Sequence, residues 1–156
     1  MAIIKEAKKI AAETNKRLYF AYGSNMDEIQ MAKRCPEAKL YGKARLDGYR
    51  FIINSRGVSS IIKQPDNYVI GLLWNISSNN ETSLDSYEGV ASKIYFKEEV
   101  NVDCIKSTVK HTALVYIAID DSPGNPRPEY LERIIKAADK FKFDPDYLIK
   151  LKEWFN

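Results

Sequence analysis

Apolar residues recur along this chain with two spacings. Ile3, Ile4, Ala7 and Ile10 or Ala11 fall on one face at helical spacing, which predicts a helix over 3–14. Residues 17–22 are rich in aromatics and read as a strand. Gly23, Ser24 and Asn25 break it. Residues 26–34 read as a short helix with Asn25 as its N-cap and Glu28 three residues on, as in a capping box, and Pro36 ends it. A β-rich middle follows, with strands over 40–46, 49–54, 58–62 and 68–76 and turns at Asp47-Gly48 and Arg56-Gly57. The polar run Ser77-Ser78-Asn79-Asn80 opens a helical segment to about residue 87, and Gly89 sits where a C-cap glycine belongs. Two further strands are predicted over 94–102 and 108–119. A proline-containing loop spans 121–128, and helices over 129–141 and 145–154 close the chain. Several strands with helices at both ends predict an α+β fold, one domain with a mixed, curled or barrel-like β-sheet flanked by short α-helices.

Composition narrows the function. The chain has 156 residues, one domain's worth, with 45% hydrophobic and 29% charged residues, enough for a core and a soluble surface. The 24 Lys and Arg against 21 Asp and Glu give a net charge of +3. That is mild for a nucleic-acid binder and argues against one, while still allowing an acidic small molecule to be steered. Cys35 and Cys104 form no CxxC and no cluster with the single histidine, His111. A zinc site needs three or four ligands, so no metal and no cofactor is expected. The first ten residues are amphipathic rather than continuously apolar, and no run reaches the ~20 apolar residues of a membrane span. Scattered cysteines and no secretory signal point to a reducing cytoplasm.

Two segments carry candidate chemistry. Tyr22-Gly23-Ser24-Asn25 leaves a strand and enters a helix, where backbone N–H groups lack intrahelical partners and a glycine lets a ligand approach. It reads either as a pocket for a carboxylate or developing oxyanion or as a plain turn with a capping asparagine. Glu88 lies at the end of the predicted helix, before Gly89. The negative end of a helix dipole and burial beside Tyr87 and Val90 both raise a carboxyl pKa, toward the range useful for taking and returning a proton. A solvated glutamate before a cap glycine is the alternative. His111 reads as a structural or exposed strand residue.

Taken in order, these segments resemble the γ-glutamylcyclotransferase family (a γ-glutamylcyclotransferase-like, AIG2-like fold). The resemblance is carried by Leu18-Tyr19-Phe20-Ala21-Tyr22-Gly23-Ser24-Asn25-Met26, then Ala44-Arg45-Leu46, Gly71-Leu72-Leu73-Trp74 and Ser83-Leu84-Asp85-Ser86-Tyr87-Glu88-Gly89-Val90. Tyr95, Pro128-Glu129-Tyr130 and Pro145-Asp146-Tyr147-Leu148 continue it to about residue 153. It implies a domain over 17–156 with a helical extension over 1–16. It also implies an enzyme that converts a γ-glutamyl amino acid or amide to 5-oxoproline and a free amine without a protein nucleophile, since the attacking amine is tethered. Glu88 is then the catalytic acid and base, with Tyr22, Gly23, Ser24, Asn25, Tyr95 and Tyr130 binding substrate. The three tyrosines read equally as core or rim residues. The same chemistry on a γ-glutamylamine or a γ-glutamyl-tailored metabolite, and a non-catalytic ligand-binding domain of this fold, stay open. The expected partner is a small γ-glutamyl substrate, with neither nucleic acid nor membrane, in a monomer or homodimer.

Overall fold

The computed structural model describes residues 3, 16–107 and 109–155. The helix predicted over 3–14 lies outside them except for Ile3. Five strands form a closed barrel in the order β1-β3-β2-β4-β5: β1 (Lys16–Ala21), β2 (Lys39–Ile53), β3 (Ser59–Ser77), β4 (Tyr95–Cys104) and β5 (Lys110–Ala118). The neighbours β1 and β3, β3 and β2, β2 and β4, and β4 and β5 are antiparallel. Closure comes from a parallel bridge between Tyr19 of β1 and Leu114 of β5. The sheet is therefore mixed and barrel-forming, as the pattern predicts.

The middle of the barrel differs from the sequence expectation in one respect. The four strands predicted over 40–76 are two long ones, paired from Lys39 with Asn75 to Ile53 with Ser59. Asp47-Gly48 does not turn the chain. Gly48, at φ 83°, makes a bulge that bends β2, and the register shifts from Asp47 opposite Tyr68 to Tyr49 opposite Lys63. Pro65 lies in the unpaired stretch facing this bulge, where its missing N–H removes no ladder bond. The turn at Arg56-Gly57 forms as predicted, with Gly57 at φ 82°.

The inner segments of β1, β3 and β5 are buried on both faces, the barrel interior on one side and helices on the other. The helices are α1 (Glu28–Arg34), α2 (Ser78–Tyr87), α3 (Pro128–Lys140) and α4 (Pro145–Lys152), with 3-10 turns at Ser24–Met26 and Glu153–Phe155. Leu131, Ile134, Ala137 and Ala138 form one buried stripe of α3 at helical spacing. Pro128 and Pro145 occupy first helical turns, where no amide donor is lost. Ile134, Ala138, Tyr147 and Leu151 join one core with Phe20, Leu72, Leu73 and Leu114.

Gly71 is needed where β1 and β3 meet. A Cβ there would lie 2.4 Å from the Ala21 carbonyl oxygen and 2.9 Å from the Phe20 ring. Gly71→Ala should lower the folding free energy by about 1–3 kcal/mol through overpacking, read as a fall in the urea midpoint; an unchanged midpoint would contradict this packing.

Candidate active site

Barrel and helices enclose a cavity of about 350 Å3, and all seven residues singled out in the sequence line it: Tyr22, Gly23, Ser24, Asn25, Glu88, Tyr95 and Tyr130. They come from the end of β1, the following loop, the end of α2, the start of β4 and α3.

Glu88 is placed by the rules that predicted its segment. Ser77 caps α2, its hydroxyl accepting from the Asn80 N–H at 3.1 Å while Asn80 Oδ1 accepts from the Ser77 N–H at 3.0 Å. At the other end Glu88 is the C-cap, and Gly89 follows at φ 65°. The Val90 and Gly89 N–H groups close the helix on the Asp85 and Ser86 carbonyls. This places the carboxylate at the negative end of α2 and turns it into the cavity. Burial pushes its pKa up to about 7 from an ordinary 4.5, against the opposing charge of Arg34.

Asn25 departs from its predicted role. It does not cap the following helix. Residues Ser24–Met26 form a 3-10 turn, and the N-cap of α1 is Asp27, whose carboxylate accepts from the Ile29 N–H at 3.2 Å. Glu28 completes no capping box and pairs instead with Lys140 at 2.5 Å. The Asn25 side chain turns inward, only 3% exposed, because it has better partners there. Its Oδ1 accepts from Arg34 and Gln30, each at 3.0 Å. Arginine is only a donor, so this fixes the amide orientation. Nδ2 then donates to Tyr19 Oη at 2.9 Å and to Glu88 Oε1 at 3.3 Å. The Asn25 carbonyl accepts from Trp74 Nε1 at 3.1 Å.

The loop lines the cavity as a 3-10 turn. The first bonds of the 3-10 turn run from Met26 N–H to Gly23 C=O and from Asp27 N–H to Ser24 C=O, each 3.0 Å. The N–H groups of Ser24 and Asn25 therefore have no partner within the turn. Gly23 sits tight against Ser59, where a Cβ would come 2.2 Å from the Ser59 hydroxyl oxygen.

The tyrosines are wall residues with committed hydroxyls. Tyr22 Oη donates to the Tyr116 carbonyl at 2.5 Å, and Tyr95 Oη to the Ser59 carbonyl at 2.6 Å. Tyr130 Oη accepts from the Ser59 N–H at 3.0 Å and shares a hydrogen bond with its hydroxyl at 2.8 Å. Burial raises the pKa of all three, so they stay protonated.

Sequence reasoning missed several lining residues. Ser59 ties Gly23, Tyr95 and Tyr130 together, and a buried serine opening an apolar strand is its only local signal. Tyr19 and Tyr116 meet edge-on at 5.7 Å; Tyr19 lies within the segment that carries the resemblance, whereas Tyr116 has no signal beyond strand aromatics. Arg34, Arg56, Arg127 and Arg133 also line the cavity, drawn from α1, the turn between β2 and β3, and α3 with its N-cap. His111 faces Tyr41 on the barrel surface, with Tyr41 Oη 3.3 Å from His111 Nε2.

With this geometry in hand, the likeness to known proteins is specific. Residues 68–151 match the AIG2-like family. The chain is 31% identical to human γ-glutamylcyclotransferase and 29% identical to the mouse protein, over 86% of this chain and 77% of each relative. A solved γ-glutamyl cyclotransferase structure superposes with a TM-score of 0.82 at 30% identity, covering 88% of this chain and 87% of the other. The chain belongs to the γ-glutamylcyclotransferase family of enzymes, within the AIG2-like fold.

Two outcomes follow from the geometry. Asp27→Ala should remove a helix cap, with a loss of about 1 kcal/mol. Asn25→Ala should lose about 1–3 kcal/mol, because buried groups are left unpaired. It should also raise the Glu88 pKa further, since a donor to the carboxylate is gone. Denaturant midpoints measured across pH check both, and an Asn25→Ala protein as stable as the parent would refute the network.

The second concerns linkage at Glu88. Its folded-state pKa of about 7 lies above the ordinary 4.5, so the folded state holds the proton more tightly. The stability linked to that proton is complete below about pH 4.5 and is lost as pH rises through 7. Glu88→Gln, neutral throughout, should gain in unfolding midpoint on the parent between pH 5 and 8. A pH-independent difference between the two proteins would contradict the placement of this carboxyl.

Proposed function

We propose that this protein is a γ-glutamylcyclotransferase that converts a γ-glutamyl amide to 5-oxoproline and a free amine, with Glu88 as general base and then general acid. One observation carries the reading. A single carboxyl whose pKa burial raises to about 7 and a 3-10 turn whose first N–H groups have no partner within it share one cavity of about 350 Å3, a size suited to a small metabolite.

The chemistry follows from these positions. The substrate α-ammonium must lose a proton before its nitrogen can attack the γ-carbonyl carbon. Asn25 holds Glu88 Oε1, which leaves Oε2 for that proton. A new C–N bond closes the five-membered ring, and the carbonyl oxygen becomes an oxyanion. The N–H groups of Gly23, Ser24 and Asn25 supply donors for that oxyanion or for the substrate α-carboxylate. Glu88 returns its proton to the leaving nitrogen as collapse breaks the original amide C–N bond, and the attacking nitrogen's second proton passes by the same carboxylate to the amine, which departs as an ammonium. Protons balance within one turnover and no external base is consumed. Because nucleophile and carbonyl belong to one molecule, orientation supplies much of the rate. The rings of Tyr22, Tyr95 and Tyr130 wall the glutamyl unit, held by their bonds to the Tyr116 and Ser59 backbones and to the Ser59 hydroxyl.

The test is release of 5-oxoproline from γ-glutamyl amides. The parent protein should turn them over with an acid limb of kcat/KM near pH 7. Glu88→Gln should fold and lose at least about a hundredfold in kcat, the lower range for a positioned acid–base group. Near-normal turnover by Glu88→Gln would remove the assignment. Binding of γ-glutamyl amides without turnover by the parent would leave a ligand-binding domain.

A further inference from the structure

The cavity wall holds a side-chain amide whose bonds all leave its own helix. Gln30 of α1 is half-buried there. Its Oε1 accepts from Arg133 Nη1 of α3 at 2.6 Å. Arginine can only donate, so this bond fixes which end of the amide is oxygen. Nε2 then keeps both hydrogens for the loop after β1. It donates to the Ser24 hydroxyl oxygen at 2.7 Å and to Asn25 Oδ1 at 3.0 Å.

The grip on this loop comes from α3. Tyr130 and Arg133 stand three residues apart, on one face of that helix. Tyr130 bonds Ser59, against which Gly23 packs. Arg133 bonds Gln30 and lies 3.8 Å from the Asp27 carboxylate that caps α1. The turn is thus held at Gly23 through Ser59, and at Ser24 and Asn25 through Gln30. Its own backbone supplies two bonds, from Met26 and Asp27. A 3-10 turn that short has poor hydrogen-bond geometry and little stiffness of its own. The direction of the Ser24 and Asn25 N–H groups therefore depends on what holds their side chains.

We infer that Gln30, braced by Arg133, is a positioning residue that aims the Ser24 and Asn25 donors at the substrate. The inference rests on the cyclotransferase reading above and adds a residue to its machinery. Gln30 reaches Glu88 by the same route, since the Asn25 amide that accepts from it donates to Glu88 Oε1 at 3.3 Å. Linked amides of this kind polarise and stiffen one another.

The test uses Gln30→Met, which keeps the length of the side chain and removes every bond it makes. Release of 5-oxoproline from γ-glutamylalanine, per folded molecule, should fall roughly tenfold in kcat/KM, the scale of two modest hydrogen bonds. The acid limb should move to higher pH, because Asn25 then holds the Glu88 carboxylate less firmly. The groups acting on Glu88 are Arg34 of α1, Tyr19 of β1, Tyr22 just after it, Tyr95 of β4 and Tyr130 of α3. Burial keeps these tyrosines protonated, so the limb reads the Glu88 carboxyl. Loss of packing alone would lower the urea midpoint and leave the limb in place. In high salt, which screens its exposed charge, Arg133→Met should cost less than Gln30→Met and add nothing to it, because it acts through Gln30. For Gln30→Met, an unmoved limb or a kcat/KM equal to that of the parent would overturn the assignment and leave the cyclotransferase reading standing. Additive effects of the two substitutions would do the same. No release of 5-oxoproline by the parent would overturn both.

Discussion

The amide of Asn25 joins three parts of the molecule that are distant in sequence. One side holds Gln30 and Arg34 of α1, and the other holds Tyr19 of β1 and Glu88 at the end of α2. A buried amide with all its partners made is rigid, and one with a missing partner is expensive. The orientation of the Glu88 carboxylate, the position of the 3-10 turn and the approach of α1 to the barrel are consequently one arrangement. The acid is presented to the cavity with one oxygen fixed, and its charge is set by the balance between burial and the cation beyond Asn25.

A second chain of contacts runs through Ser59. Its backbone and hydroxyl hold two tyrosine rings, and Gly23 closes against it. The ring hydroxyls lie against protein acceptors or donors, so they act as walls with fixed shape. Around this neutral lining the arginines supply the field. A small ligand entering here meets a rim of arginines, aromatic walls and one carboxyl whose pKa burial raises.

Much of this was legible in the sequence, for local reasons. The helix ending at Glu88 follows from the polar cap at Ser77 and from Gly89, and a carboxylate at that end announces itself by sitting against the dipole. Strand-turn-helix punctuation marked the loop after β1, and the two C-terminal helices stand where they are expected. The failures are equally local. Asn25 fits the statistics of helix starts, but its side chain turns inward to bond Tyr19, Gln30, Arg34 and Glu88, the last 63 residues away. Asp47-Gly48 has the composition of a turn, and a bulge uses the same positive φ. The arginine rim had no signature at all, since exposed charges acquire meaning only when the fold brings distant segments around one opening.

The barrel closes through the parallel bridge between Tyr19 and Leu114, joining the first strand described to the last. Such a junction is non-local, and the loop entropy of nearly a hundred intervening residues opposes it unless the hairpins between have formed. Tyr19 and Tyr22 on one side and Tyr116 on the other belong to the cavity only after that seam is shut. A nascent or partly opened chain thus has no half-built pocket to offer a metabolite. Ligand occupancy and the integrity of the seam rise and fall together, and a bound small molecule acts as a clasp on the whole barrel.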